Sequence, residues 1–65
     1  MSPNERRQAV LNALVDRRED RIENLAREFG VSMHTLRRDI EELTLAYPLV
    51  TVRGRYGGGV KVEDW

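Results

Sequence analysis

The sequence predicts a mainly α-helical fold with a small β-hairpin, built on three helices. Three observations carry that prediction. Apolar residues recur at helical spacing in three stretches before Tyr47. Residues 25–40 read as two short helices joined by a tight turn at Gly30. After Pro48 the pattern changes to β-branched residues and period-two alternation on either side of a glycine-rich segment.

Each element has its own signals. The first helix, about residues 3–17, opens at Ser2-Pro3-Asn4-Glu5. There serine caps free N–H groups, proline suits the first helical position and glutamate completes a capping box. Val10, Leu11, Leu14 and Val15 form its apolar face. Residues 16–21 are all charged, three acids and three bases, and read as a solvated helix end and loop rather than a nucleic-acid patch. The second helix, about residues 21–29, follows Asp20, which stands at capping-box spacing from Glu23. Ile22, Leu25, Ala26 and Phe29 make its buried face. Gly30 supplies the left-handed backbone of a tight turn, and Val31 is the apolar plug after it.

The third helix, about residues 33–46, has Ser32 as N-cap, and Leu36, Ile40 and Leu43 define its inward side. Tyr47-Pro48 ends it, because a residue before proline is pushed out of the α region. Leu49 to Arg53 and Val60 to Glu63 are the strands of a hairpin, about residues 49–63, with residues 54–59 at its tip. Together these make residues 1–65 one three-helix winged helix-turn-helix domain, the hairpin being the wing.

Composition narrows the function. A chain of 65 residues has no room for a catalytic domain beside a binding domain. It has no cysteine, so disulfides and thiolate metal sites are excluded, and its one histidine cannot build a multi-histidine zinc site. No metal, cofactor or catalytic residue is therefore expected: the carboxylates sit on solvated helix faces, and the chain is not read as an enzyme. The glycine run 57–59 lacks the Lys-Ser/Thr pair and the following helix of a phosphate-binding loop. No apolar run approaches the roughly 20 residues of a membrane span, and no signal-peptide core is present. A cytoplasmic, nucleoid-associated protein without membrane partners is the expectation.

Net charge is zero, with 11 Lys+Arg against 11 Asp+Glu, unlike a nonspecific DNA coater. The distribution is uneven. Residues 1–31 balance six arginines with six acids, whereas residues 32–61 set five cations against three acids. The basic excess lies in the half that holds the third helix and the hairpin.

That placement points to double-stranded DNA. Near the N-terminus of the third helix, Met33, His34, Thr35, Arg37 and Arg38 form the candidate base-reading set. Arginine grips guanine, and Thr or Met packs on a thymine methyl. The alternative for Arg37 and Arg38 is pairing with Asp39, Glu41 or Glu42 at helical spacing. Met33 stands equally for a core edge or a groove contact. His34 is read as a neutral polar contact to base or phosphate. Arg21, Asn24 and Ser32 are candidates for backbone phosphate, and Arg53, Arg55, Tyr56 and Lys61 for phosphate or minor-groove contact along the wing. Tyr47 and Trp65 are read as packing residues. With no long apolar stripe for dimerisation, a monomer in solution is expected, with a dimer on a two-fold site as the alternative. Neutral net charge leaves one rival from another class: a protein-interaction adaptor that uses the same surface.

The run Ile22-x-x-Leu25-Ala26-x-x-Phe29-Gly30-Val31-Ser32, then Thr35-Leu36-Arg37-Arg38-Asp39-Ile40-x-x-Leu43, then Arg53-Gly54-x-x-Gly57-Gly58, resembles the DeoR-type winged helix-turn-helix. It is equally similar to the N-terminal domains of WYL-containing bacterial regulators. The resemblance covers residues 6–62 and implies bacterial or phage transcription regulation from an N-terminal position in a longer regulator. A trimmed or engineered copy of the domain would read the same way. Two departures stand out. Arg21 occupies a position where Ser or Thr is common, leaving Asp20 to cap, and no sensor domain follows the wing within the 65 residues.

Overall fold

The computed structural model describes residues 1–54 and 57–63. Among them the order is α1 (Pro3–Arg17), β1 (Glu19–Arg21), α2 (Ile22–Phe29), α3 (Met33–Thr44), β2 (Leu49–Val52) and β3 (Gly59–Val62). The strands form one antiparallel sheet in the order β1-β3-β2. The fold is thus mainly helical with a small sheet, a winged helix-turn-helix as the sequence predicts.

Helix α1 begins with the expected capping box. Ser2 Oγ accepts from the Glu5 N–H at 3.2 Å, and the Ser2 N–H donates to Glu5 Oε1 at 3.4 Å. Val10, Leu11 and Leu14 are buried, but Val15 is 39% exposed, so the apolar face is narrower than its sequence suggests. At 100° per residue Val15 lies about 40° beyond Leu11, on the side away from Val10 and Leu14, at the edge of the core-facing stripe.

The charged run is where the structure departs most from expectation. Rather than a loop throughout, it contributes strand β1, whose Glu19, Asp20 and Arg21 face Lys61, Val60 and Gly59 of β3. Two bonds extend the ladder: Val62 N–H to Arg18 O at 2.8 Å, and Ile22 N–H to Gly58 O at 3.0 Å. Strand β3 thereby becomes central, and the wing is two strands of a three-stranded sheet.

This strand also alters the start of α2. Its N-cap is Arg21, with no side-chain cap bond, so Asp20 does not close a capping box with Glu23. The Asp20 backbone is held in β1. Its carboxylate instead accepts from the Arg21 N–H at 2.7 Å, from Asn24 Nδ2 at 3.0 and 3.1 Å, and from Arg17 Nη1 at 2.9 Å. At the other end Gly30 is left-handed, with φ 68° and ψ 33°, and the Val31 N–H returns to Ala26 O at 3.0 Å. That turn is what glycine after Phe29 predicts.

Helix α3 starts at the Ser32 cap, whose Oγ accepts from the Thr35 N–H at 3.1 Å. It ends at Thr44, two residues before the expected stop. Beyond it the Ala46 and Tyr47 N–H groups both bond Leu43 O, at 3.1 and 2.9 Å, which converts the last turn to a tighter one ahead of Pro48.

The core gathers Val10, Leu11 and Leu14 from α1, Ile22, Leu25 and Ala26 from α2, Leu36, Ile40 and Leu43 from α3, and Leu49, Val60 and Val62 from the sheet. Phe29, Val31, Met33 and Tyr47 pack at its edge. One charged residue is buried beside them: Asp39, 1% exposed. Its Oδ1 accepts from Arg6 Nη2 at 3.0 Å and Arg7 Nε at 3.1 Å, and its Oδ2 accepts from Arg6 Nε. This ion pair ties α1 to α3 and so orients the helix that carries the candidate site.

Candidate nucleic-acid interface

Burial of Leu36, Asp39, Ile40 and Leu43 turns the opposite side of α3 to solvent. His34, Arg37 and Arg38 are exposed there, while Met33 and Thr35 are half-buried. Thr35 Oγ1 accepts from the Ser32 hydroxyl at 3.1 Å, so both residues belong to the cap as well as to the candidate surface. The first turn of α3 therefore combines a helix N-terminus, whose free N–H groups favour anions, with two arginines just beyond it.

The two arginines differ. Neither pairs with Glu41 or Glu42 among the described residues, and Asp39 is already occupied by Arg6 and Arg7. Arg38 makes no side-chain hydrogen bond or ion pair among the described residues. Arg37 Nη2 donates to the Gly57 carbonyl at 2.9 Å and so reaches from α3 to the wing tip. Met33 reaches the same place: a Cβ built on Gly57 would lie 2.0 Å from Met33 Cε. Met33 is thus both a core-edge residue and a neighbour of the wing.

Arg53 is exposed at the end of β2. Together with Arg37, Thr51, Val52 and the glycines 54, 57 and 58 it lines an open cleft between α3 and the wing. The structure therefore brings His34, Arg37, Arg38 and Arg53 to neighbouring parts of one surface. Arg21 and Asn24 lie apart, at the start of α2, where they border a polar depression with Asp20, Glu23 and Arg27. Asn24 is engaged there by Asp20. Lys61 is separate again. Val60 and Val62 point to the core, so alternation sends Lys61 to the outer face of the sheet, level with Glu19 and Val50. Arg55 and Tyr56 lie outside the described residues.

Four other arginines are engaged within the fold. Arg6 and Arg7 hold Asp39. Arg17 grips Glu28 through both nitrogens, at 2.9 and 2.8 Å, and also bonds Asp20. Arg27 pairs with Glu23 at 3.1 Å. The bonds from Arg17 hold the Glu28 carboxyl below its ordinary range. Burial would raise Asp20, but bonds from Arg17, the Arg21 N–H and Asn24 outweigh it and hold that carboxyl low as well. Asp20, Glu23, Glu28 and Asp39 are thus each paired with arginines from α1 or α2. Among the described residues Arg38 and Arg53, both exposed, form no ion pair.

Two participants escaped the sequence reading. Gly57 was legible as a hairpin glycine, but nothing in the linear order shows that its carbonyl receives Arg37. Asp39 was legible only as a helical neighbour of Arg37 and Arg38, whereas its true partners lie more than 30 residues away.

Three helices with a tight second-to-third turn, a sheet behind them and a wing bonded to the third helix define the winged helix-turn-helix class. Within that class, the chain belongs to the DeoR-like helix-turn-helix domain family, whose model matches residues 6–62. No match to the chain was found among curated proteins or solved structures. Among the described residues no helix is long and apolar enough to cross a membrane, and no group of three or more His, Cys, Asp or Glu side chains is placed to hold a metal ion. Family membership suggests a DNA-binding regulator.

Proposed function

We propose that this chain is a sequence-specific double-stranded DNA-binding module of a transcription regulator, working at the nucleoid. The N-terminal half of α3 enters the major groove. There Arg38 and His34 meet base edges, with Thr35 at the flank. Ser32 and the N-terminus of α3 face a phosphate. Arg53, with Arg55 and Tyr56, meets the flanking backbone or minor groove, and Arg21, Asn24 and Lys61 contribute weaker positioning contacts to phosphate. The observation that carries this reading is the exposure of His34, Arg37 and Arg38 on the first turns of α3, with Arg53 on the adjoining cleft, while Arg6, Arg7, Arg17 and Arg27 are held by acids elsewhere in the fold.

One such module covers a short site, with about 600–1,000 Å² of protein surface buried. Tight binding calls for two copies on a two-fold site, although the protein alone is a monomer.

Selection from a random duplex pool, followed by titration of the selected duplex at two salt concentrations, tests the proposal. A defined sequence should emerge, and log affinity should fall with log salt at a slope of a few units. Arg38→Ala should relax discrimination at one base pair by about 1–3 kcal/mol, whereas Arg53→Ala should weaken all sites alike and reduce the slope by about 1. Failure to enrich any sequence, or a salt-independent interaction, would overturn the reading in favour of a protein-binding adaptor.

A further inference from the structure

Arg37 stands next to Arg38 on the same helix, yet among the described residues it is bonded and its neighbour is not. Its Nη2 spans 20 positions of sequence to reach the Gly57 carbonyl at 2.9 Å. Gly57 has φ +87°, a backbone conformation that side chains other than glycine rarely adopt. A Cβ there would lie 2.0 Å from Met33 Cε and 2.9 Å from Arg37 Nη2. Gly57 of the wing therefore rests directly on two side chains of α3; a Cβ would displace the ends of both, and the positive φ itself favours glycine. Met33 and Arg37 are four residues apart, so they project from one side of the helix a turn from each other. Methionine supplies an adaptable apolar contact, and the guanidinium supplies a directional, charge-assisted bond.

We infer that Met33 and Arg37 are positioning residues that set the distance and angle between the recognition helix and the wing. Arg37 holds the Gly57 carbonyl, and Met33 fills the space a Cβ would take. Base reading then falls to Arg38 and His34, and the tether makes groove and flanking contacts engage in one register. A bidentate grip on guanine needs the guanidinium aimed into the groove. Arg37 is instead turned onto the wing. The inference deepens the DNA-binding reading and rests on it for its functional consequence, although the tether is a property of the free protein.

Three variants separate a tether from a base reader. Arg37→Met removes the donor and keeps a long, helix-favouring side chain. Arg37→Lys keeps a cationic donor able to reach a carbonyl. Arg38→Ala is the contrast, since that residue makes no hydrogen bond or ion pair with the wing among the described residues. The first readout is backbone amide order at Gly57 and Gly58, measured by nitrogen-15 relaxation on the free protein. The second is affinity for the selected duplex and for each of its single-base variants.

Arg37→Met is expected to loosen the two glycine amides and weaken every duplex by about tenfold, with the base-preference profile unchanged, because a mobile wing must be ordered on binding. Arg37→Lys is expected to restore amide order and most of the affinity. Arg38→Ala should leave the amides as they were and flatten preference at one base pair. The inference is overturned if Arg37→Met leaves the wing amides unchanged, or if it alters preference at a single base pair. Should the unmodified protein bind no duplex, the DNA-binding reading fails, and the relaxation arm alone decides whether Arg37 holds the wing.

Discussion

Replacing Asp39 with asparagine takes one charge out of the helix bundle while nearly preserving shape. The carboxylate is 1% exposed and receives three hydrogen bonds, two from Arg6 and one from Arg7. Removing one partner of a buried ion pair costs about 3–5 kcal/mol where the stranded charge stays buried. Here the arginine side chains retain 15% and 32% exposure and can turn toward water. The expected loss for Asp39→Asn is therefore about 2–3 kcal/mol. A domain of this length holds roughly 3–10 kcal/mol in total, so this single contact decides whether the fold is comfortable or marginal. Each kcal/mol moves the melting temperature of a domain this small by about 4–8 °C, which places the variant about 10–20 °C lower.

Thermal and urea unfolding followed by helical circular dichroism measure that loss, and pH identifies its origin. Burial would push the Asp39 carboxyl up, but the hydrogen bonds from Arg6 and then Arg7 outweigh it and hold the group below its ordinary value of 3.8. A depressed folded-state pKa contributes stability that is complete above the unfolded-state value and is lost as pH falls through the folded-state value. The gap between the parent protein and Asp39→Asn should accordingly be widest at neutral pH and close as pH falls below about 4. A variant within about 0.5 kcal/mol of the parent at pH 7 would refute the reasoning, because that is the ordinary range of a surface substitution. So would a gap that is the same at pH 3 as at pH 7.

The remaining predictions concern single local features. Gly30→Ala should cost about 1–2 kcal/mol in urea unfolding, with Gly30→Asn milder, because a Cβ there meets nothing within 4 Å and only the left-handed backbone resists it. Ser32→Ala should cost about 1 kcal/mol by removing the acceptor of the Thr35 N–H, and calorimetry reads that directly. Val15→Lys should change the urea midpoint by no more than the equivalent of about 0.5 kcal/mol, since the side chain already reaches solvent and a lysine stem can cover the same apolar neighbours.

The contrast between the two start signals shows how legibility works. Ser2 and Ser32 could be read as caps because a cap acts within three residues, and both cap bonds are present. Asp20 had the same signal and does not cap α2, because a strand formed with β3 draws the backbone before Ile22 into the sheet. That strand has no apolar alternation of its own. Its hydrogen bonds come from residues about 40 positions later, and no local pattern records them. Val15 fits the apolar stripe of α1 by type, but how wide a stripe is covered depends on the neighbouring elements.

By itself, the sequence determined the three helices, the glycine turn, the hairpin and the family, because spacing, caps and turn residues act over a few positions and leave their mark in linear order. It also placed the candidate reading surface on the first turns of α3. Only the tertiary structure decided which charges are spent inside the fold. Eleven cations and eleven acids are indistinguishable by count. The packing of α1 on α3 assigns Arg6 and Arg7 to Asp39, and the seating of the wing on α3 assigns Arg37 to Gly57. Ion pairs and carbonyl bonds form wherever the chain's path brings partners within 3 Å or so, and that path is a property of the whole fold. It separates Arg37, bound to the wing, from Arg38, exposed beside it.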